Sequence, residues 1–501
     1  MKTTMRALCL LCLPLLLFGV SCGIGCSGNA NSEFDNNTTD DDSVQETTLY
    51  AAAGSVIITP NPQNHPETIY LGGIYPSRLA TGVHDDLEAN ALALKQGGQQ
   101  VILVSLDFLG FSRSRIREIQ ERLAEHGLAQ ENILISSTHT HEAPDTLGVF
   151  GPNVFTSGVS PEYMAFVQDA ITNLVLDVCD HLVPVTMTAA AAIVNFPDSN
   201  YPTLMADLRQ PEITVHWVSA AQFADEQGQP VATLINWHAH PEVMIRSTLI
   251  SADFPRYVRE RVSNVVGGHC VYISGALGGL ATPTGVDVPG RNEDGSPMMD
   301  EHGNQVYLQD GTWDKARSLG YDIADLAIDA IRAANPVPSP LLQADVEKLL
   351  LPVQSPTFIL AFLVGLLEFD KQDLVTDQPE SCGWFGCTSD RIASLRLGPL
   401  SLVTSPGETF PETFIGRTES SYDFGDPWGV SVFPAMDGIM SFMDAPVPML
   451  MSVCGNEVGY LIPETDFHPL GHPDYYEEEL CLGKTTETIY RQAAIKMVGG
   501  K

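Results

Sequence analysis

Ser136-Ser137-Thr138-His139-Thr140-His141-Glu142-Ala143-Pro144 follows the short apolar run Asn132-Ile133-Leu134-Ile135 and ends at a proline that stops regular structure. The run reads as a buried strand. Two imidazoles one residue apart therefore stand where an α/β sheet hands over to a loop, the usual place for a site. Residues i and i+2 of a strand face the same side, so both rings can reach one cavity. One H-x-H pair is weak evidence, since two polar residues in a surface loop explain it better. A second pair, Trp237-His238-Ala239-His240-Pro241, follows another apolar run, Val231-Ala232-Thr233-Leu234-Ile235. Two strand-end pairs suggest a metal site.

Around these pairs the chain alternates strand-like runs with amphipathic helices. Gly54-Ser55-Val56-Ile57-Ile58-Thr59-Pro60 is a short strand stopped by proline. Gln100 to Asp107 is a nearly continuous apolar strand ending on a carboxylate, which either orients a ligand histidine or caps the following helix. Residues 112 to 126 predict a helix with Ile116, Ile119 and Leu123 on one face; residues 161 to 182 predict another with Phe166, Ala170, Leu174 and Val178 in register. Residues 211 to 218 alternate as a strand, paired with 230 to 237 through the turn from Asp225 to Pro230. Ser251-Ala252-Asp253 opens a helix to about Val265, and a strand over 270 to 274 leads into the glycine-rich turn Gly275 to Pro283. That turn can bring backbone amides against a ligand but lacks the ending of a phosphate loop. Residues 284 to 312 form a long polar insertion. Phe358 to Leu367 is an apolar stretch too short to cross a bilayer; it reads as a buried helix, with an apolar lid or lipid-facing patch as the alternative. Leu400 to Glu408 and Met449 to Tyr460 are further strands that end on polar groups. The body, residues 51 to 501, is thus of mixed α/β (α+β) class with its site at strand ends.

The attachments are different in kind. Lys2 and Arg6 precede an apolar run from Ala7 to Phe18, and small residues then lead to Cys22. Residues 1 to 26 read as a secretion signal, and Gly19-Val20-Ser21-Cys22 looks like a lipoprotein cleavage box despite the glycine at its first position. Cys26 is a second candidate for lipidation. Export to a bacterial cell envelope or secretion follows, with membrane anchoring through an N-terminal lipid. Residues 27 to 50 carry acids, no base and little apolar content, as a solvated tether does. The chain has 26 basic and 62 acidic residues, a formal charge of −36, which leaves no basic footprint for nucleic acid. Nothing points to a protein partner. Beyond the four cysteines of residues 1 to 26, six remain (Cys179, Cys270, Cys382, Cys387, Cys454 and Cys481), an even number that in an exported chain suggests up to three disulfides. Cys382 and Cys387 would close a small loop.

Imidazoles from two strand ends and a carboxylate from a third form a familiar catalytic zinc set, with a position left for water. Zn2+ so held lowers the pKa of its water and polarises a carbonyl, which suits hydrolysis of an amide or ester.

An ordered series of short pieces then narrows the reading. Thr81-Gly82-Val83-His84-Asp85, Thr138-His139-Thr140-His141, Asn236-Trp237-His238-Ala239-His240-Pro241, Ser251-Ala252-Asp253, Pro406-Gly407-Glu408 and Asn456-Glu457-Val458-Gly459-Tyr460 occur in that order. In this the chain, from about Gly54 to about Tyr490, resembles the neutral (alkaline, non-lysosomal) ceramidases and their bacterial relatives. The resemblance implies a ceramidase-like catalytic domain, one zinc ion, and cleavage of the N-acyl bond of a ceramide-like lipid to a fatty acid and an amine. It implies His139, His240, Glu408 and Tyr460 as metal ligands. His141 is then left to move protons at the scissile group, with Tyr460 also stabilising the developing oxyanion.

Three departures accompany it. The serine of the family's G-D-x-S-P-N segment is matched here by Thr282 within Gly278-Gly279-Leu280-Ala281-Thr282-Pro283, and the aspartate is missing. His238 replaces an apolar or small residue and is either a further ligand or part of an altered proton path. The chain ends at Lys501, leaving no room for the family's C-terminal immunoglobulin-like domain. Two other readings stay open: a metal-dependent ester or phosphoester hydrolase, and a non-catalytic binding protein that retains the fold.

Overall fold

A strand that is apolar at nearly every position needs cover on both faces, and Gln99–Leu106 obtains it by sending alternate side chains into two cores. Ile102, Val104 and Leu106 pack with the helices Arg113–Ala124 and Pro161–Asp180, whereas Val101 and Leu103 turn to the opposite side. The computed structural model describes residues 47–61, 68–153, 155–194, 203–338, 340–367, 371–425, 427–472 and 475–499, and three sheets in it repeat this arrangement. The first runs Ile133–Ser137, Gln99–Leu106, Glu88–Gln96, Tyr50–Ile57 and Val183–Pro184, its first pair parallel. The second runs His269–Ser274, Pro230–Trp237, Trp217–Ala224 and Thr186–Ile193, its first pair also parallel. The third runs Leu342–Pro352, Cys387–Leu397, Leu400–Thr404 and Val447–Met451, its last pair parallel.

One central core joins the sheets: Leu92 and Leu103 come from the first, Phe223, Leu234 and Ile273 from the second, and Leu402 and Met449 from the third. Helices cover the other faces. Phe254–Val265 and Trp313–Ala333 lie on the second sheet, and Thr486–Val498 buries Tyr490 and Ala494 against the third. This is the expected mixed α/β class. Each sheet contributes one parallel pair, and parallel neighbours end on the same side, so the loops that follow them emerge together.

Buried polar side chains tie the strand ends to one another. Asn236, with no exposed surface, donates its amide to the carbonyls of Ile273 (3.0 Å) and Leu450 (2.8 Å) and accepts from the Leu450 N–H (3.1 Å). It therefore links the second sheet to the third. Ser105 Oγ donates to Tyr272 O across the first and second sheets, and Ser219 Oγ donates to Pro448 O across the second and third.

Several expectations need correction. The strand expected over 211 to 218 is Trp217–Ala224, although it does pair with Pro230–Trp237 through the Asp225 turn. Phe166 is exposed; the buried stripe of its helix is Met164, Val167, Ile171, Leu174, Val175 and Val178. Asp107 neither orients a ligand nor caps a helix. It accepts two hydrogen bonds from Arg259 (2.9 and 2.6 Å), one from the Glu88 N–H and a longer one from the Thr138 hydroxyl (3.4 Å), pinning the helix Phe254–Val265 to the first sheet without touching a histidine ring. The helix within the 358 to 367 stretch is Pro356–Leu363, and it is not buried: only Ile359 is enclosed, while Leu360 and Leu363 are exposed. Cys382 and Cys387 do form a disulfide, but Cys179, Cys270, Cys454 and Cys481 are free, so one bridge replaces the three allowed. Residues 1 to 46, where the secretion signal and most of the acidic tether are expected, lie outside the described residues.

Truncating Asn236 would strand three buried backbone groups at once, each costing roughly 1–3 kcal/mol when unpaired and dry. Asn236→Ala is therefore expected to lower stability by about 3 kcal/mol or more, read as a lower urea midpoint with an unchanged m-value.

Candidate metal centre

The loops that leave the parallel pairs carry the site. His139 stands two residues beyond Ile133–Ser137, His240 three beyond Pro230–Trp237, and Glu408 four beyond Leu400–Thr404. His139 and His141 do not converge by strand alternation, because the strand has already ended. His139 has φ 71°, a left-handed conformation that is uncommon for a residue with a side chain, and this turn redirects the chain so that both rings face one centre. Their centroids are 5.1 Å apart, and that of His240 lies 5.1 Å from His139 and 5.8 Å from His141.

Each ring is held from behind. A carbonyl can only accept, so His139 Nδ1 donates to Leu109 O (2.6 Å) and His240 Nδ1 donates to Ala281 O (3.1 Å). Both Nε2 atoms then face Glu408 Oε2, at 3.5 Å from His139 and 3.0 Å from His240. Fixing Nδ1 on a carbonyl to free Nε2 is how proteins orient metal-binding histidines. Neither ring nitrogen of the buried His141 has a hydrogen-bond partner among the described residues. One donor atom from each of the three histidines fits within 4.8 Å of the others. Three imidazoles and a carboxylate suit a divalent metal ion, and the unpartnered His141 is hard to account for without a ligand.

A proton and a metal ion compete for these same nitrogens, and the buried carboxylates favour either. Burial opposes charge on His240, but the hydrogen bond to Glu408 and the charges of Glu242 and Glu408 outweigh it and raise its pKa to about 9. Burial likewise opposes charge on Glu408, yet His139 and His240 hold its carboxyl well below the usual range. Burial, aided by the charges of His139 and His240, pushes His141 well below its ordinary value and keeps it neutral.

Among the sequence candidates, His139, His141, His240 and Glu408 come together. Tyr460 sits beside them, since its strand Tyr460–Leu461 pairs in parallel with Glu408–Thr409, placing Tyr460 opposite Glu408. Its hydroxyl lies 3.3 Å from that of Tyr476. Thr282 is fully buried beside Ala281; its hydroxyl accepts from the Thr284 N–H (3.0 Å) and lies close enough to the Glu242 carboxylate to favour its charge. His238 does not join the site. Its Nδ1 accepts from the Ala276 N–H (2.9 Å), its ring stacks on Phe414, and burial takes its pKa down to about 3. Gly275 has to be glycine, because a Cβ there would meet His238 Nδ1 at 2.2 Å.

Sequence reasoning passed over Glu242 and Tyr476. Glu242 Oε2 lies 3.8 Å from His141 Nδ1, and the signal for it was present: an acid two residues past a candidate ligand, in His240-Pro241-Glu242. Tyr476, in an acidic stretch far along the chain, gave none.

The two histidines of the second pair separate by experiment. His240→Ala should weaken divalent-metal binding by about a hundredfold or more in equilibrium dialysis, beyond the loss typical of outer partners. His238→Ala should leave affinity within a few fold while lowering stability by roughly 1–3 kcal/mol through the stranded Ala276 N–H.

No family model matches the chain, and no curated protein sequence matches it. Solved structures do. The neutral ceramidase from Pseudomonas aeruginosa superposes with a TM-score of 0.64 at 15% identity, covering 90% of this chain and 74% of that one. A structure described as ceramidase complexed with C2 gives 0.62 at 15% identity, covering 90% of this chain and 75% of its own. Across nine-tenths of its length, the chain therefore has the fold of the neutral ceramidases, as its ordered motifs implied.

Proposed function

We propose that this protein is an exported, zinc-dependent hydrolase of linear amides that cleaves an N-acyl, ceramide-like lipid to a fatty acid and an amine. The observation that carries the reading is the meeting of His139, His240 and Glu408 from three distant segments, in a fold whose solved neighbours are ceramidases. His139 and His240 would hold the metal through Nε2 and Glu408 through Oε2, with Tyr460 completing the set. Zinc in that position supplies Lewis acidity that polarises an acyl carbonyl and acidifies water.

The chain's own groups do the rest. His141, with both nitrogens unengaged, accepts a proton at the reacting centre and returns one to the departing amine. Tyr460 donates its hydroxyl hydrogen to charge developing on the carbonyl oxygen. Thr282 stands in the place of the family's serine, its hydroxyl near the Glu242 carboxylate. The burial of all these groups excludes bulk water and strengthens each polar contact. Residues 1 to 26 direct export, and Cys22 offers the lipid anchor.

A second reading has one observation in its favour. Glu242 adds a carboxylate to the three imidazoles, and a donor set of that size also suits two-metal hydrolysis of an ester or phosphoester. One metal ion per chain supports the amidase; two support the alternative.

Incubation with ceramide and several N-acyl amino lipids should release fatty acid, and a chelator should abolish the release until zinc is restored. His139→Ala and Glu408→Ala should each lower kcat/KM by about a thousandfold or more, the scale of losing groups that act as a unit. Chelator-insensitive cleavage would overturn the mechanism.

A further inference from the structure

Pro356–Leu363 is the one α-helix among the described residues that carries no charged side chain. Residues 352 to 367 contain no acid and no base, in a protein that is 18% charged with a net −36. Ile359 packs inward with Phe358 and Phe362 partly covered, while Leu360, Leu363 and Val364 are 55%, 70% and 53% exposed. Trp384 adds an 84% exposed ring beside them. It is carried on the loop closed by the Cys382–Cys387 disulfide, next to Phe385, whose ring lies 5.9 Å from that of Phe362. Large apolar side chains exposed together are costly in water, and such patches mark surfaces that meet something apolar.

The residues flanking the helix contact two segments that lead into the candidate site. At its start, the N–H groups of Gln354 and Ser355 donate to Leu482 O (2.8 and 2.7 Å); the adjacent Cys481 bridges to Gly459, which precedes Tyr460. Beyond its end, Leu366 O lies so close to Gly148 that a Cβ there would meet it at 2.2 Å. Gly148 belongs to the loop that follows His141, which Asp145 organises by accepting the N–H groups of Leu147, Gly148 and Phe150. Phe155, 76% exposed, projects from the same loop.

We infer that the face formed by Leu360, Leu363, Val364, Trp384 and Phe155 seats the protein on a lipid bilayer with electrically neutral headgroups, next to the segments that lead into the site. Charge decides between occupants. A second copy of the chain would bring another −36 against the first, and an anionic surface would be repelled, whereas a zwitterionic bilayer opposes neither the patch nor its acidic surroundings. Tryptophan, phenylalanine and leucine on an uncharged face suit the headgroup boundary, and no described helix is long and apolar enough to cross a membrane. The inference rests on the reading that the substrate is a membrane lipid, since docking there presents the lipid to the site.

The full chain should co-sediment with phosphatidylcholine vesicles and more weakly when phosphatidylglycerol is added. In the double variant Leu363→Glu, Trp384→Glu, binding should fall about tenfold or more, because each such side chain moved out of water is worth about a decade in partitioning. Residues 1 to 46 are common to both proteins, so the difference reads the patch. Fatty-acid release from vesicle-borne substrate should fall through KM, while release from a soluble short-acyl amide stays unchanged. A chelator should leave vesicle binding intact: binding without any hydrolysis would uphold the surface and sink the amidase reading. The proposal is overturned if the double variant sediments like the parent. It is equally overturned if the variant instead loses a concentration-dependent dimer in sedimentation velocity.

Discussion

The carboxamide of Asn236 is the constraint on which the arrangement of the second and third sheets, and with it the site between their strand ends, depends. A buried amide has two donors and an acceptor to satisfy, and here Ile273 and Leu450 supply all the partners from two neighbouring strands. An apolar residue could fill the space but would leave those backbone groups unpaired, so the position fixes register as well as volume. Its effect reaches the site directly. Trp237 ends the strand and His240 follows within three residues, so the lock on Asn236 sets where that imidazole begins. Ser274 extends the same device to the opposite side, donating its hydroxyl to Thr138 O, one residue before His139.

The site then accumulates what a stable core avoids. Three imidazoles and the carboxylates of Glu408 and Glu242 are buried together, and Glu142 adds a further buried carboxylate close to Arg78. His139, Asp253, Leu280 and Val453 all adopt positive φ just beyond the strands, a conformation costing of order 1–3 kcal/mol for a residue that bears a side chain. Such strain persists only where surrounding structure over-determines it. The three helix-covered sheets provide that surplus, and the strand ends absorb it.

Much of this was legible because it is local. Apolar runs ending on polar groups located the strands, and the Asn236 to Pro241 and Thr138 to His141 segments located two lips of the site before any coordinates. What escaped was set by tertiary contacts. Asp107 is a strand-end carboxylate like Glu408, and nothing nearby in sequence says that Arg259 will claim it. The register of Trp217–Ala224 depends on its partners rather than on the alternation upstream of it. Phe166 obeys the helical period of its neighbours but lies past the edge of the buried stripe, where hydrophobicity alone does not decide burial. The free cysteines are separated by packing, which cysteine counting cannot see.

His238 and His240 sharpen the point, because their chemistry is the same and their spacing would place them on one face of a strand. The strand ends at Trp237, and from there tertiary contacts govern each ring. His238 is captured by the Ala276 amide and the Phe414 ring, which leaves it neutral with a pKa of about 3; His240 is captured by Glu408, which raises its pKa to about 9. His139 and His141 show the converse, since they meet only because a positive φ breaks the alternation that would otherwise carry them along a strand. An H-x-H pair at a strand end therefore specifies where a metal site can form. Which of its members serve is decided by the carbonyls and carboxylates that distant segments bring to each ring.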